Sequence, residues 1–165
     1  MEEWRPINSF PGYSVSNLGR VRNDRNRRIM TLLINQGGVV NVGLTDDYGQ
    51  HKRAVAPLVA SAFLPKIPRQ RDAFDTPINL DGDRSNNDVN NLMWRPRWFA
   101  VKYFQQFNSE PKGYRVPIED IKTGERFETS WEAATTYGLL DIDIVVAMER
   151  NTWVFPTYQK FRIVD

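Results

Sequence analysis

The first fifty positions alternate apolar and polar residues in short bursts. Residues 4–7, 13–15, 20–22 and 39–44 each carry the period-two pattern of a half-buried strand. Turn chemistry separates them: Pro11-Gly12, Asn17 with Gly19, and Gly37-Gly38. A further strand is predicted at 51–55, then a short apolar helix over 57–63 with Pro57 in its first turn. Pro65, Pro68 and the charged run 69–75 read as a connection. Between 77 and 107 an Asp81-Gly82 turn leads into an Asn/Asp-rich run over 83–91, a composition that favours side-chain-to-backbone bonding. Pro96 opens a helix in which Phe99, Tyr103 and Phe107 recur every four residues. Residues 108–113 read as a linker. The remainder predicts strands at 114–118 and 126–129, then a helix capped by Ser130 and ended by Gly138. A second helix capped by Asp141 and a closing strand over 158–164 complete it. Two short helices across a glycine turn have a helix-turn-helix outline, and equally that of a hairpin used only for packing. The pattern predicts an α+β protein.

Composition narrows the chemistry. Among 165 residues there is one His and no Cys. Disulfide frameworks and cysteine-ligated metal sites are excluded, as is any site needing two imidazoles. A nucleophile–base system would have to rest on His51 alone. No apolar run is long enough to span a membrane, and the N-terminal MEEWRPI lacks the apolar core of a secretory signal, so an intracellular protein is expected. The net charge of +2 is unevenly spread. Residues 1–70 hold ten Lys/Arg against five Asp/Glu, whereas 111–165 hold seven against nine. Five arginines fall within nine residues, at 20, 22, 25, 27 and 28, interrupted by the single acid Asp24. Such a basic beginning is the footprint of a polyanion contact, or else a solvated basic loop.

Three segments resemble one family. EEWRPINSFPGYSVSNLGRVRN is similar to the nuclease-associated module that opens phage HNH homing endonucleases. VAPLVASAFLP followed by INLDGDRSNNDVNNLMW resembles their ββα-metal nuclease core, and the stretch from Ile118 to Val164 resembles the helix-turn-helix repeat at the C-terminus of intron-encoded endonucleases. The resemblance implies three modules: a DNA-binding module at 1–50 built on a small antiparallel sheet, an HNH-like ββα core at 51–108, and a C-terminal β-hairpin with helix-turn-helix at 113–165. It also implies a phage or mobile-element origin, a bacterial cytoplasm, double-stranded DNA as partner, and an ancestor that nicked DNA.

Carried over position by position, the resemblance leaves the chemistry incomplete. The family's general base, the His before x-Asp-Gly, is Asn79. The metal-binding Asp before it is Ile78, and the second metal ligand falls near Ala100. The His and Arg of the helical motif are Ala56 and Pro57. The loop-forming positions persist as Asp81-Gly82, Asn86-Asn87, Asn91-Leu92 and Trp94, with Gly82, Asn87, Asn91 and Trp94 expected to be structural and Asn91 to tie the loop by hydrogen bonds. Phosphodiester hydrolysis needs a base for water and a cation for the developing charge. An amide accepts no proton at neutral pH, and neither Ile nor Ala offers the oxygen that Mg²⁺ requires. Loss of the base alone costs about 10²–10⁴-fold. The expectation is therefore a nuclease fold that does not cut, with no catalytic residues, metal or cofactor.

DNA contact is expected from Arg20, Arg22, Arg25, Arg27 and Arg28, with Lys52 and Arg53, and with Arg95 and Arg97 around Pro96, where a helix start favours phosphate. At the start of the last helix Asp141 and Asp143 would repel phosphate. Trp153, Phe155 and Tyr158 offer an aromatic surface for a protein partner instead. Two alternatives accompany the main reading. One is residual Mg²⁺- or Mn²⁺-dependent nicking through His51, Asp75, Asp81 or Asp83. The other is a repurposed module that binds a host or phage protein.

Overall fold

The computed structural model describes residues 1–68, 73–111 and 113–165. Residues 69–72 of the expected connection and Lys112 of the expected linker lie outside them. The chain forms two compact units, Met1–Arg97 and Trp98–Asp165. The fold is α+β, and every strand pairing among the described residues is antiparallel.

In the first unit β1 (Trp4–Pro6), β2 (Tyr13–Ser16), β3 (Val21–Asn23) and β4 (Arg28–Ile29) form a meander in sequence order. The β2–β3 turn carries Gly19 at φ +88, and the β-carbon of any other residue there would crowd Asn87 at 3.1 Å. Strand parity sorts the two faces. Val15 and Val21 pair across the sheet and are fully buried, while Trp4, Ser14 and Arg22 lie on the opposite face. A second sheet runs β5 (Leu33–Ile34), β6 (Val40–Asp46), β7 (Gly49–Ala54), and sends Val40, Val42 and Leu44 into the core at alternate positions. Helix α1 (Val55–Phe63) follows β7 directly and begins two residues earlier than its proline suggests. Its Val55, Val59 and Ala60 form the buried stripe. A hairpin of β8 (Thr76–Asn79) and β9 (Leu92–Arg95) completes the unit. The 3₁₀ turn Val89–Asn91 before β9 is capped by Asp88, which accepts from Asn90 N at 2.9 Å.

The expected boundary at residue 50 falls inside the β6–β7 hairpin. One cluster joins Ile7, Phe10, Val15, Val21, Val42 and Leu44 to Val55, Val59 and Leu92. Strands of two to four residues cannot enclose a core alone, so the N-terminal sheet buries its apolar face with α1 and β9.

The second unit begins with α2 (Arg97–Gln105). Phe99 and Tyr103 are fully buried, as the four-residue spacing requires. A sheet follows with β10 (Ile118–Asp120) between β11 (Arg126–Phe127) and β12 (Phe161–Ile163), covered by α3 (Ser130–Tyr137) and α4 (Asp141–Glu149). Ile118, Phe127, Ala133, Ala134, Leu139, Ile144, Ala147 and Phe161 build the core. Several local expectations move. The strand expected at 114–118 starts only at Ile118, because Tyr114 O instead accepts from Ser130 N at 3.0 Å. The closing strand shortens to Phe161–Ile163, since Val154 and Gln159 pair in a turn that places Tyr158 at φ +55. Thr129 caps α3, accepting from Glu132 N at 3.1 Å, while Glu132 accepts in return from Glu128 N at 2.7 Å. Gly138 ends α3 at φ +67.

Asp141 is not a cap. Leu140 occupies that position, and the buried Asp141 carboxylate accepts from Gly113 N at 3.0 Å and from Ser130 Oγ. A methyl group on residue 113 would stand 2.0 Å from Ser130 Oγ and 2.2 Å from Asp141 Oδ1. Gly113→Ala is therefore expected to destabilise the second unit by about 1–3 kcal/mol, the range for overpacking, read as a lowered urea midpoint of the full chain.

Candidate nucleic-acid interface and nuclease-like loop

The solvent face of the N-terminal sheet gathers Trp4, Arg20 and Arg22. Arg20 Nε donates to Glu2 Oε1 at 2.9 Å, and its Nη2 donates to Glu2 Oε2. Arg22 Nε donates to Asp24 Oδ1 at 3.1 Å, and Asp24 Oδ2 accepts from Ser14 Oγ at 2.7 Å. Both guanidiniums lie over the Trp4 ring, at 5.6 and 4.5 Å from its centroid. The Arg20 bond holds the Glu2 carboxyl down at about 2 against the partial burial that opposes it.

The next three arginines differ. Arg25, Arg27 and Arg28 are exposed, around a β3–β4 turn held by Asn23 Oδ1 and Asn26 Oδ1, which accept from Arg25 N and Arg28 N. Their guanidiniums form no ion pair among the described residues. Arg27 adopts φ +57. Lys52 and Arg53 are exposed on β7, where Arg53 lies 5.2 Å from the Phe10 ring centroid. Arg97 is exposed at the start of α2. Arg95 departs from the expected set: it is 4% exposed and donates to Trp94 O at 2.8 Å and to Met93 Sδ at 2.9 Å. Its position on β9, opposite Thr76, turns it inward.

The loop between β8 and β9 is closed by its own amides. Asn79 is 3% exposed, and its Nδ2 donates to Asn86 O at 2.8 Å and to Asn87 Oδ1 at 2.9 Å. Asn91 Nδ2 donates to Asn86 O and to Asp81 Oδ1, and Asn91 Oδ1 accepts from Asp81 N at 3.1 Å. Asp81 Oδ2 accepts from Asn86 Nδ2 at 2.8 Å, and Gly82 turns the chain at φ +77. Asp83 accepts from the amide and hydroxyl of Ser85, which hold its carboxyl below the usual range. The loop docks on the N-terminal sheet through Val89 N, which donates to Asn17 O at 2.8 Å, and through Asn87 against Gly19. Trp94 is half-buried, with an indole N–H that meets no acceptor among the described residues.

Ile78 is fully buried and apolar, and Ala100 lies buried on α2 in the second unit. An aliphatic side chain, a methyl and an amide already donating two bonds do not suit Mg²⁺ or Mn²⁺. The remaining ionisable residues are spread out. Exposed Asp75 accepts from Thr76 Oγ1 at 3.1 Å. His51 on β7 bonds Asp46 Oδ1 through Nε2 at 2.8 Å and packs 5.7 Å from Phe10. Among the described residues no three His, Asp or Glu side chains converge.

Residues 2–45 match the NUMOD4 motif. An uncharacterized HNH endonuclease of Acanthamoeba polyphaga mimivirus is 32% identical over 94 residues, a match covering 57% of this chain and 23% of that protein. The HNH homing endonuclease I-HmuI, a protein that binds and cleaves DNA, has a solved structure that superposes with a TM-score of 0.53 at 20% identity over 98% of both chains. The chain is a relative of the HNH homing endonucleases. Sequence reasoning named the arginines of that relationship but missed Glu2, Trp4 and Asp24 as their supports. Strand parity between Trp4, Ser14 and Arg22 was the signal available; Glu2 carried none.

Two outcomes are expected. Asn79→Ala would leave acceptors of the loop without a donor, lowering stability by about 1–3 kcal/mol in urea denaturation. Glu2 titrates below its ordinary 4.5, so its pair with Arg20 stabilises fully above that value and is lost as pH falls toward about 2. Exposure keeps this below about 1 kcal/mol. Side-chain NMR of Glu2 is expected to show a midpoint near pH 2, moving back toward 4.5 in Arg20→Gln.

Proposed function

We propose that this protein holds double-stranded DNA without cutting it, as a repressor or site-occupying factor descended from a nicking endonuclease. The observation that carries the reading is Asn79. At the position where the family places its general base stands a buried amide, already donating to Asn86 O and Asn87 Oδ1. It neither accepts a proton at neutral pH nor is free to orient a water. Ile78 and Ala100 supply no oxygen beside it. The carboxylates nearest in sequence, Asp81 and Asp83, are engaged in holding the loop. Binding has a separate basis: Arg25, Arg27 and Arg28, with Lys52 and Arg53, offer exposed cations on the first unit. Each phosphate they neutralise releases a counterion, so affinity falls steeply with salt.

The deciding experiment incubates the full-length protein with supercoiled and linear duplex DNA, with and without Mg²⁺ or Mn²⁺, and reads nicking and gel shift together. A salt-sensitive shift with no nicking under any metal is expected. Nicking above background overturns the non-cutting part, and no shift at low salt overturns DNA binding. Replacing Arg25, Arg27 and Arg28 together by Gln is expected to weaken binding to all duplexes alike, and to lessen the slope of log K against log salt by about 0.9 for each lost phosphate contact.

A further inference from the structure

The arginine cluster divides into two kinds of side chain by how each is held. Arg25, Arg27 and Arg28 carry uncompensated charge on a turn. Arg20 and Arg22 are each anchored at Nε by a carboxylate, Glu2 or Asp24, and both lie over Trp4. Asp24 is itself fixed by Ser14 Oγ. A guanidinium neutralised by its own carboxylate has lost most of its attraction for a phosphate. It has not lost its remaining N–H groups. With Nε and one Nη2 hydrogen of Arg20 taken by Glu2, the edge formed by Nη1 and Nη2 still carries two parallel donors. Arg22 keeps all four of its Nη hydrogens. Anchoring removes the rotamer entropy that otherwise opposes a directional contact and leaves the fork aimed by the sheet.

We propose that Arg20 and Arg22 read guanine in the major groove, and that Glu2 and Asp24 are positioning residues that present their free guanidinium edges. The proposal rests on the DNA-binding reading above. The parallel donor pair matches the O6 and N7 acceptors of guanine, and the major groove admits a two-stranded β-ribbon. Two residues of extended strand separate the arginines by about 6.6 Å, close to two base-pair steps of 3.4 Å each. The guanines recognised therefore fall within a window of about three base pairs. The unanchored arginines supply phosphate contacts that carry no sequence information.

The test is selection of the full-length protein on a library of duplexes with a randomised centre, followed by sequencing. Two enriched guanines within about three base pairs are expected. Binding is then measured on the enriched duplex and on copies carrying 7-deazaguanine, which lacks the N7 acceptor, at each position. For the wild type each replacement is expected to weaken binding by about 5- to 100-fold. Arg20→Lys and Glu2→Gln should abolish that penalty at one and the same guanine, and Arg22→Lys and Asp24→Asn at the other. A merely structural role for the carboxylates would lower affinity for every duplex and leave the 7-deazaguanine penalty intact, which would overturn the proposal. So would Glu2→Gln tightening all duplexes with unchanged preference, since Glu2 would then simply block Arg20. Retention of duplexes without guanine enrichment overturns this inference alone. Retention of no duplex overturns the DNA-binding reading beneath it.

Discussion

Asn79 donates both hydrogens of its side-chain amide, one to Asn86 O and one to Asn87 Oδ1, and these bonds close the loop between β8 and β9. The rest of the first unit is built outward from that closure. Asn86 and Asn91 lock Asp81 at the turn. Asn87 seats against Gly19, and Val89 N bonds Asn17 O, so the loop fastens the N-terminal meander at its β2–β3 turn. The same closure fixes Leu92 in the core it shares with Val15 and Val59. A buried amide that lost these partners would carry a desolvation penalty with nothing to offset it. The residue that replaces a general base thus has a structural task, which accounts for the persistence of the scaffold where chemistry is no longer supported.

Electrostatics on the neighbouring sheet follow a similar rule. Charge alone would make Arg20, Arg22, Arg25, Arg27 and Arg28 equivalent. Glu2 and Asp24 break that equivalence by neutralising two of the five, while Trp4 supplies a common face for both guanidiniums. The free arginines sit where the chain turns, and the anchored ones where it is extended. A positive stripe can therefore hold a polyanion with one part and present directional donors with another.

The second unit uses an acid in a comparable way. Asp141 at the beginning of α4 would repel phosphate if it faced solvent, yet its carboxylate is buried against Gly113 and Ser130. Glu119 is likewise enclosed between Arg126 and Arg162 on the flanking strands. Its Phe155, counted among exposed aromatics on sequence grounds, stacks with Trp98 at 5.5 Å and tilts against Phe99 at 6.0 Å. Trp153 and Tyr158 remain exposed.

Periodicity made most strands and all four helices legible. Val40-Val42-Leu44 alternates, and Phe99-Tyr103 recurs at the helical repeat. Both signals arise from burial on one face, which a sequence records directly. The two-residue strands β4 and β5 were not legible, because Ile29, Leu33 and Ile34 stay exposed and bury no stripe. The division at residue 50 was not legible either, since which elements share a core depends on contacts far apart in the chain. For the candidate site, residue identity alone determined that Asn79 cannot be a base and that Ile78 and Ala100 cannot bind a metal. Tertiary structure decided the rest. It turned Arg95 inward and brought Glu2 to Arg20 across eighteen positions. It also spent Asn79 on the loop. A side chain's chemistry belongs to the residue, but its protonation, exposure and free donors belong to whichever distant groups the fold sets beside it.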